Sequence, residues 1–378
     1  MTQRLRIGLD AHMVGGRETG NETYVRGLVS GFSQLPGDFD LYAYHVDRPW
    51  VESDSRIHFR PMPNAAPWVR LTVGLATHAI RDSLDVLHVT YTAPLWARCP
   101  IVVTVHDISY TTNPEWFSKR DLRVLSATVP LSMRKAQHVI TVSDFCRNQI
   151  IEHYRVRPEK VVAIPNAAGP AAMQLSYEGA RRELTALGLD PQRRYVLAVG
   201  NLQPRKNLVR LIEAMRSVVA AGLDVDLVIA GPEHYRAEEV LAASREAAER
   251  VRFTGYLSDH QLAACYSCAS AFAFPSLFEG FGIPAIEAMA HGVPVVCSNT
   301  GALPEVCADA ALYFDPVDVD SIANAIRRVM TDRNLHADLS RRGREREKQF
   351  SWQKSAQRTL EVYQKAAGRD SLHAASGL

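Results

Sequence analysis

Residues 274–295 read FPSLFEGFGIPAIEAMAHGVPV, and the order of apolar, glycine and acidic positions in this stretch decides how the rest of the chain is read. The run Ala271, Phe272, Ala273, Phe274 predicts a short buried strand, and 275–282 a glycine-containing loop. A helix follows. Pro284 suits its first position, where no backbone N–H is needed, and Gly292 with Pro294 suits its stop. Between them Ile283, Ala285, Ile286, Ala288, Met289 and Ala290 point in all directions, so the helix is expected to be enclosed by protein. Glu287 is then an anomaly. A buried carboxylate without partners costs several kcal/mol or gives up its charge, so Glu287 needs hydrogen-bond donors, and ligand hydroxyls would serve.

The start of that helix offers backbone N–H groups at Phe281, Gly282 and Ile283, and the glycines allow a ligand to approach the chain closely, which favours a phosphate. Glu287 lies ~6 Å further along the axis at ~1.5 Å per residue, and Glu279 stands on the loop beyond the helix tip. The picture is an elongated ligand with hydroxyls at both ends and anionic charge in the middle. Read singly, Glu279 is equally a solvated loop acid and Glu287 a buried ion-pair partner.

The stretch resembles the E-x7-E signature of the retaining family-four glycosyltransferases, with Glu279 and Glu287 as its two acids and the surrounding PSxxEGFGxPxxEAMAxGxPV pattern matched along its length. The resemblance implies a nucleotide-diphosphate sugar as donor substrate, with no metal and no other cofactor. It also implies the GT-B architecture, in which two doubly wound Rossmann-like α/β domains face each other across a cleft.

The 378 residues suffice for two domains, and 47% hydrophobic content makes the chain globular. Net charge is only +2. Residues 1–165 hold 19 basic and 16 acidic side chains, which argues against nucleic acid as the main partner. The opening MTQRLRIGLD leads straight into a strand without a signal-peptide apolar region, and no run approaches the ~20 apolar residues of a membrane span, so the expected location is the cytoplasm. Of six cysteines only Cys265 and Cys268 form a C-x-x-C, and their segment 259–267 reads as an amphipathic helix, so buried reduced thiols are expected there.

In chain order, strands are predicted at 5–9, 40–44, 56–60, 86–89, 101–105, 139–142 and 161–164, then at 195–199, 226–230, 251–253, 271–274, 294–297 and 311–314, with helical patterns between most of them. Alternation implies parallel sheets covered on both faces, whose ligands bind beyond the strand C-termini. The first strand is followed by a loop over 11–22 holding Gly15, Gly16 and Gly20 but no G-x-G-x-x-G, which counts against a dinucleotide oxidoreductase, and then by a helix over 23–32. A polar, Pro- and Gly-punctuated connection separates an acceptor-side domain, 1–170, from a nucleotide-sugar domain, 188–350, and a helix within 351–368 is expected to return to the first.

After the predicted strand ending at Val199 come Gly200, Asn201, Leu202, Gln203, Pro204, Arg205 and Lys206. Two cations aimed at a diphosphate stabilise a transition state in which the leaving group gains charge. The resemblance makes Arg205 and Lys206 the phosphate contacts, although Asn201 stands where the family usually has an arginine and Asn207 replaces its glycine. It further assigns Gly20 to a loop over donor and acceptor, Tyr256 and Leu257 to the nucleobase, and His106, within VTVHDISY, to the catalytic machinery beside Glu279, Lys206 and Arg205. Two D-x-D triplets, Asp224 to Asp226 and Asp318 to Asp320, enter a strand and a helix and read as local structure rather than as a metal site.

The resemblance is greatest to bacterial mannosyltransferases of polysaccharide assembly, which implies GDP-mannose as donor and a saccharide or lipid-linked saccharide as acceptor. An epimerase or phosphorylase on the same architecture, or a non-catalytic sugar-binding module, are the other classes. A peripheral contact with the inner face of the membrane is expected from 117–137, where Leu122, Leu125, Val129 and Met133 follow helical spacing among Lys119, Arg120, Arg123, Arg134 and Lys135. A core-packed helix with a charged edge is the alternative.

Overall fold

The computed structural model describes residues 4–15, 19–46, 54–63, 69–245 and 250–369; Gly16 of the first loop lies outside them. Thirteen strands fall in two wholly parallel sheets among these residues. The first contains β1 (Leu5–Asp10), β2 (Phe39–His45), β3 (Ile57–Pro61), β4 (Val86–Thr90), β5 (Ile101–Thr104), β6 (His138–Thr141) and β7 (Val161–Ala163) in the order β3-β2-β1-β4-β5-β6-β7. The second contains β8 (Tyr195–Val199), β9 (Asp226–Ala230), β10 (Val251–Gly255), β11 (Ala271–Phe274), β12 (Val295–Ser298) and β13 (Ala311–Phe314) in the order β10-β9-β8-β11-β12-β13. Each order reverses once, between β1 and β4 and between β8 and β11. Those reversals are the switch points at which doubly wound sheets open a crevice at the strand C-termini.

The central strands are buried along their whole length, as their mainly apolar content requires, although β4 carries His88 and Thr90 and β5 carries Thr104. The chain divides into two compact units, Met1–Thr112 with Lys119–Asn166 and Ser351–Leu378, and Asn113–Ser118 with Ala167–Phe350. It leaves the first unit at Ala167 because the 3₁₀ turn Pro170–Ala172 belongs to the second core, where the Ala171 carbonyl lies 2.8 Å from His291 Nε2.

Helix α1 (Thr19–Ser33) and the last helix, α7 (Trp352–Ala366), lie against each other in the first unit. They touch closely because α1 carries glycines on that face: a Cβ at Gly27 would sit 2.1 Å from the Trp352 ring, and one at Gly31 2.2 Å from the Trp352 carbonyl oxygen. Phe32 stacks on Tyr363 at 5.9 Å. The first helix thus starts at Thr19, not at residue 23. Glu22 in its first turn favours the early start by opposing the helix dipole.

Helix α2 (Lys119–Lys135) also differs in orientation from the amphipathic reading. Val129 and Met133 are buried and Leu122 and Leu125 half-buried, so the apolar stripe seen in the sequence is the packed face. At 100° per residue, Arg120, Arg123, Val124, Ala127, Leu131 and Arg134 share the opposite face, and all six are exposed.

Candidate active site

The second sheet's switch point brings two loops side by side, one after β8 and one after β11. In the first, Pro204–Lys206 forms a single 3₁₀ turn that ends at Asn207, whose φ of 55° is left-handed. That conformation explains why glycine serves there in the resembling family, and asparagine is among the residues that tolerate it. Asn207 adds what glycine lacks. Its Nδ2 donates to the carbonyls of Pro275 at 3.0 Å and Pro316 at 2.7 Å, and its Oδ1 accepts from Arg210 at 2.9 Å. Helix α3 (Leu208–Ala220) follows.

The second loop is fixed by three backbone ties. Leu277 N–H donates to the Arg205 carbonyl at 2.9 Å, Ala302 N–H donates to the Glu279 carbonyl at 3.0 Å, and the Thr300 hydroxyl donates to the Leu277 carbonyl at 3.2 Å. Gly301, at φ 64°, permits the approach to Glu279, since a Cβ there would lie 2.9 Å from both the N and O of Glu279. Glu279 is thereby held between the cations: Lys206 Nζ donates to its Oε1 at 2.7 Å and Arg205 Nη1 to its Oε2 at 3.1 Å. Burial pushes this carboxyl up, but the Lys206 and Arg205 charges outweigh burial and hold it at about 2. The sequence marks all three as ligand groups; it gives no sign that they bind one another.

Gly282 stands in the left-handed region at φ 103° as the N-cap of α5 (Ile283–Ala290), with Pro284 in the first turn. Phe281 is buried, edge to face with Phe350 at 5.4 Å. Glu287 is buried as its helix requires, and within the chain it is met by a phenol rather than a cation: Tyr266, on α4 (Asp259–Cys268), donates its OH to Oε2 at 3.0 Å. Burial raises the Glu287 carboxyl to about 7, with the Tyr266 bond and the Gly169 backbone opposing the rise. Asn201 has a buried Oδ1 with no partner among the described residues. Tyr256 is 46% exposed beside buried Leu257, and a Cβ at Gly20 would meet open space.

His106 follows β5 in the first unit. Its ring meets Tyr24 edge to face at 4.7 Å and Tyr91 at 5.7 Å, and its Nε2 is buried without a hydrogen-bond partner among the described residues. Burial lowers this imidazole to about 4, so it is neutral at physiological pH.

The D-x-D triplets have local roles. Arg193 and Arg250 both donate to Asp224, at 2.6 and 2.7 Å, and both lie 3.2 Å from Asp226. Asp318 caps helix α6 (Val319–Thr331) by accepting from the N–H groups of Asp320 and Ser321. Cys265 is buried, and burial pushes its thiol up to about 12.

Residues 181–346 match the family model described as glycosyl transferases group 1, and residues 19–170 the one described as Glycosyltransferase Family 4. O-antigen chain mannosyltransferase B of Escherichia coli is 35% identical over 266 residues, 69% of each chain. The serotype-specific mannosyltransferase WbdA of Escherichia coli is 28% identical over 272 residues, which are 69% of this chain and 33% of its own length. Among solved structures, Alr3699/HepE of Anabaena in complex with UDP and glucose superposes with a TM-score of 0.74 at 20% identity, covering 96% of this chain and all of that one. The shared architecture is GT-B.

Proposed function

The chain belongs to glycosyltransferase family 4, and from that premise we propose that it is a retaining mannosyltransferase that moves mannose from GDP-mannose to a saccharide or lipid-linked saccharide during polysaccharide assembly. The observation that carries the reading is the partly buried Arg205–Lys206–Glu279 cluster at the second sheet's switch point. Its net charge is +1. It suits a diphosphate whose charge grows as the bond to sugar carbon 1 breaks.

In the proposed step the electron pair of that bond passes to the phosphate oxygen. The acceptor oxygen bonds carbon 1 on the same face, and its proton goes to the departing phosphate. Glu279 then accepts a sugar hydroxyl, Glu287 holds the ribose, and Tyr256 and Leu257 line the base. His106, with its unpartnered Nε2, takes a hydroxyl of the sugar or the acceptor. Support for mannose comes from the named activities of the relatives, and support for a nucleotide sugar from the UDP-bound Anabaena structure.

A thermal-shift panel tests the donor: GDP-mannose should raise Tm more than UDP-glucose, and a larger shift with UDP-glucose sinks the mannose assignment. Incubating the donor without acceptor separates transfer from epimerisation, since an epimerase alone would produce an altered sugar.

We further propose peripheral contact with an anionic membrane. Support comes from the exposed face of α2, where Arg120, Arg123 and Arg134 flank Val124 and Leu131, with Leu95 74% and Trp96 45% exposed on the loop after β4. That loop adjoins α2: Ala93 N–H donates to Ser132 Oγ at 2.8 Å, and Lys135 donates to the Pro94 and Leu95 carbonyls. Each cation near such a surface contributes ~1 kcal/mol, and the apolar side chains and Trp96 suit the interface. No described helix is long and apolar enough to cross a membrane. Flotation with anionic liposomes at low salt is expected to recover the protein, high salt to release it, and Arg123→Ala with Arg134→Ala to weaken it. No binding at low salt ends the proposal.

A further inference from the structure

A string of buried polar groups crosses the otherwise apolar face of the first sheet. The Tyr363 hydroxyl on α7 lies 2.5 Å from His88 Nδ1 on β4. His88 Nε2 lies 2.7 Å from Thr104 Oγ1 on β5, and Thr104 Oγ1 lies 2.9 Å from the Tyr24 hydroxyl on α1. The surroundings are aliphatic, with Ile7, Leu9, Val86 and Val102 in the same core. Burial depresses the His88 imidazole to about 3, so it stays neutral, with one nitrogen donating and the other accepting. The string is directional whichever tautomer is present, and every polar group in it has at least one hydrogen-bond partner.

Docking α7 needs no such string. Leucine at 88 and phenylalanine at 363 would bury apolar area without placing four polar groups in a core. What the string does, and apolar packing could not, is hold the far end of the Tyr24 ring in place by its hydroxyl. That ring is the one 4.7 Å from His106 at an interplanar angle of 83°, and Thr104 stands two positions before His106 in the chain. Tyr91, held at φ 60°, meets His106 at 66°. Two aromatic walls thus define the imidazole plane, and one of them is anchored through hydrogen bonds to the last helix.

We propose that Thr104, His88 and Tyr363 are positioning residues for His106: they hold Tyr24, and Tyr24 holds the imidazole at the angle from which it meets a substrate hydroxyl. This deepens the reading of His106 given above and rests on it. Thr104→Val keeps the shape of the hub and removes its hydroxyl; Thr104→Ser keeps the hydroxyl. Thr104→Val is expected to lower kcat for transfer roughly 10-fold, less than the ~100-fold that a 1 Å misplacement can cost, with donor KM unchanged. Thr104→Ser should stay close to the parent enzyme. A merely structural hydroxyl would move Tm and leave kcat alone, and that result overturns the inference. His106→Ala is measured alongside. If it leaves transfer intact, the role of His106 falls and the positioning inference with it; if it lowers transfer while Thr104→Val does not, only the positioning inference falls. Should Thr104→Val not fold, Tyr363→Phe removes the far hydroxyl and is read the same way.

Discussion

Lys206→Ala is expected to lower turnover by roughly 10²- to 10³-fold, the range for removing one transition-state charge stabiliser. Its ammonium is 12% exposed and in direct contact with Glu279, so the charge acts through little water. Alanine takes the cluster from +1 to neutral and leaves Glu279 with Arg205 alone. Stability should fall too, because removing one partner of a buried pair strands part of a charge. The two effects separate in a double variant. Glu279→Gln removes the stranded charge, so Lys206→Ala with Glu279→Gln should melt higher than Lys206→Ala, while turnover stays low in both. An unchanged rate in Lys206→Ala removes the lysine from the mechanism, and a double variant that melts no higher refutes the pairing. Acid gives an independent check. Glu279 is held at about 2, below its ordinary value of 4.5, so its contribution to stability is complete above ~4.5 and is lost as pH falls toward 2.

Glu287→Gln should produce the opposite pH signature. The folded carboxyl sits at about 7 against an ordinary 4.5. Between those values the unfolded chain has released a proton that the folded chain keeps, so stability drops as pH rises through the window and stays low above it. The drop amounts to ~3 kcal/mol, or roughly 5–10 °C in Tm for a unit of this size. Glutamine carries no such penalty. The variant is expected to match the parent near pH 5 and to melt several degrees higher at pH 8, while binding the donor more weakly. Ribose hydroxyls donating to the carboxylate favour its charged form, so donor binding to the parent near pH 6.5 should release a proton, visible as a buffer-dependent heat of binding. Equal melting differences at pH 5 and pH 8 would refute the burial account. A pH-dependent gain in Tm with unaltered donor affinity would leave Glu287 a structural acid.

The sheet architecture was legible because central parallel strands are mainly apolar, and runs such as Ala271 to Phe274 and Tyr195 to Val199 begin and end where their composition changes. Helix starts were less so. Gly20 and Asn21 are poor helix formers and read as loop, yet both lie in the first turn of α1, whose later turns at Gly27, Gly31 and Phe32 gain from α7 the packing that propensity does not supply. In the site, the spacing of Glu279 and Glu287 pointed to two acids on either side of a helix start, but each partner came from far along the chain: Lys206 for one, Tyr266 for the other. Asn207 was seen only as a departure from glycine, because a left-handed φ leaves no mark in composition. The Tyr363 to Tyr24 string had no local signal, as its members come from four separate elements.

The placement of α7 also sets a timetable for synthesis. The core of the first unit needs Ala356, Leu360, Val362 and Tyr363, which leave the ribosome after every strand of the second sheet. Until then the α1 face bearing Gly27 and Gly31 is uncovered and His88 lacks its phenol. Domains ordinarily complete themselves from the N-terminus as they emerge. Here the order is inverted: the second unit has its whole core in hand first, and a chain stopped at Phe350 holds a finished second unit attached to an N-terminal half that waits for its last helix.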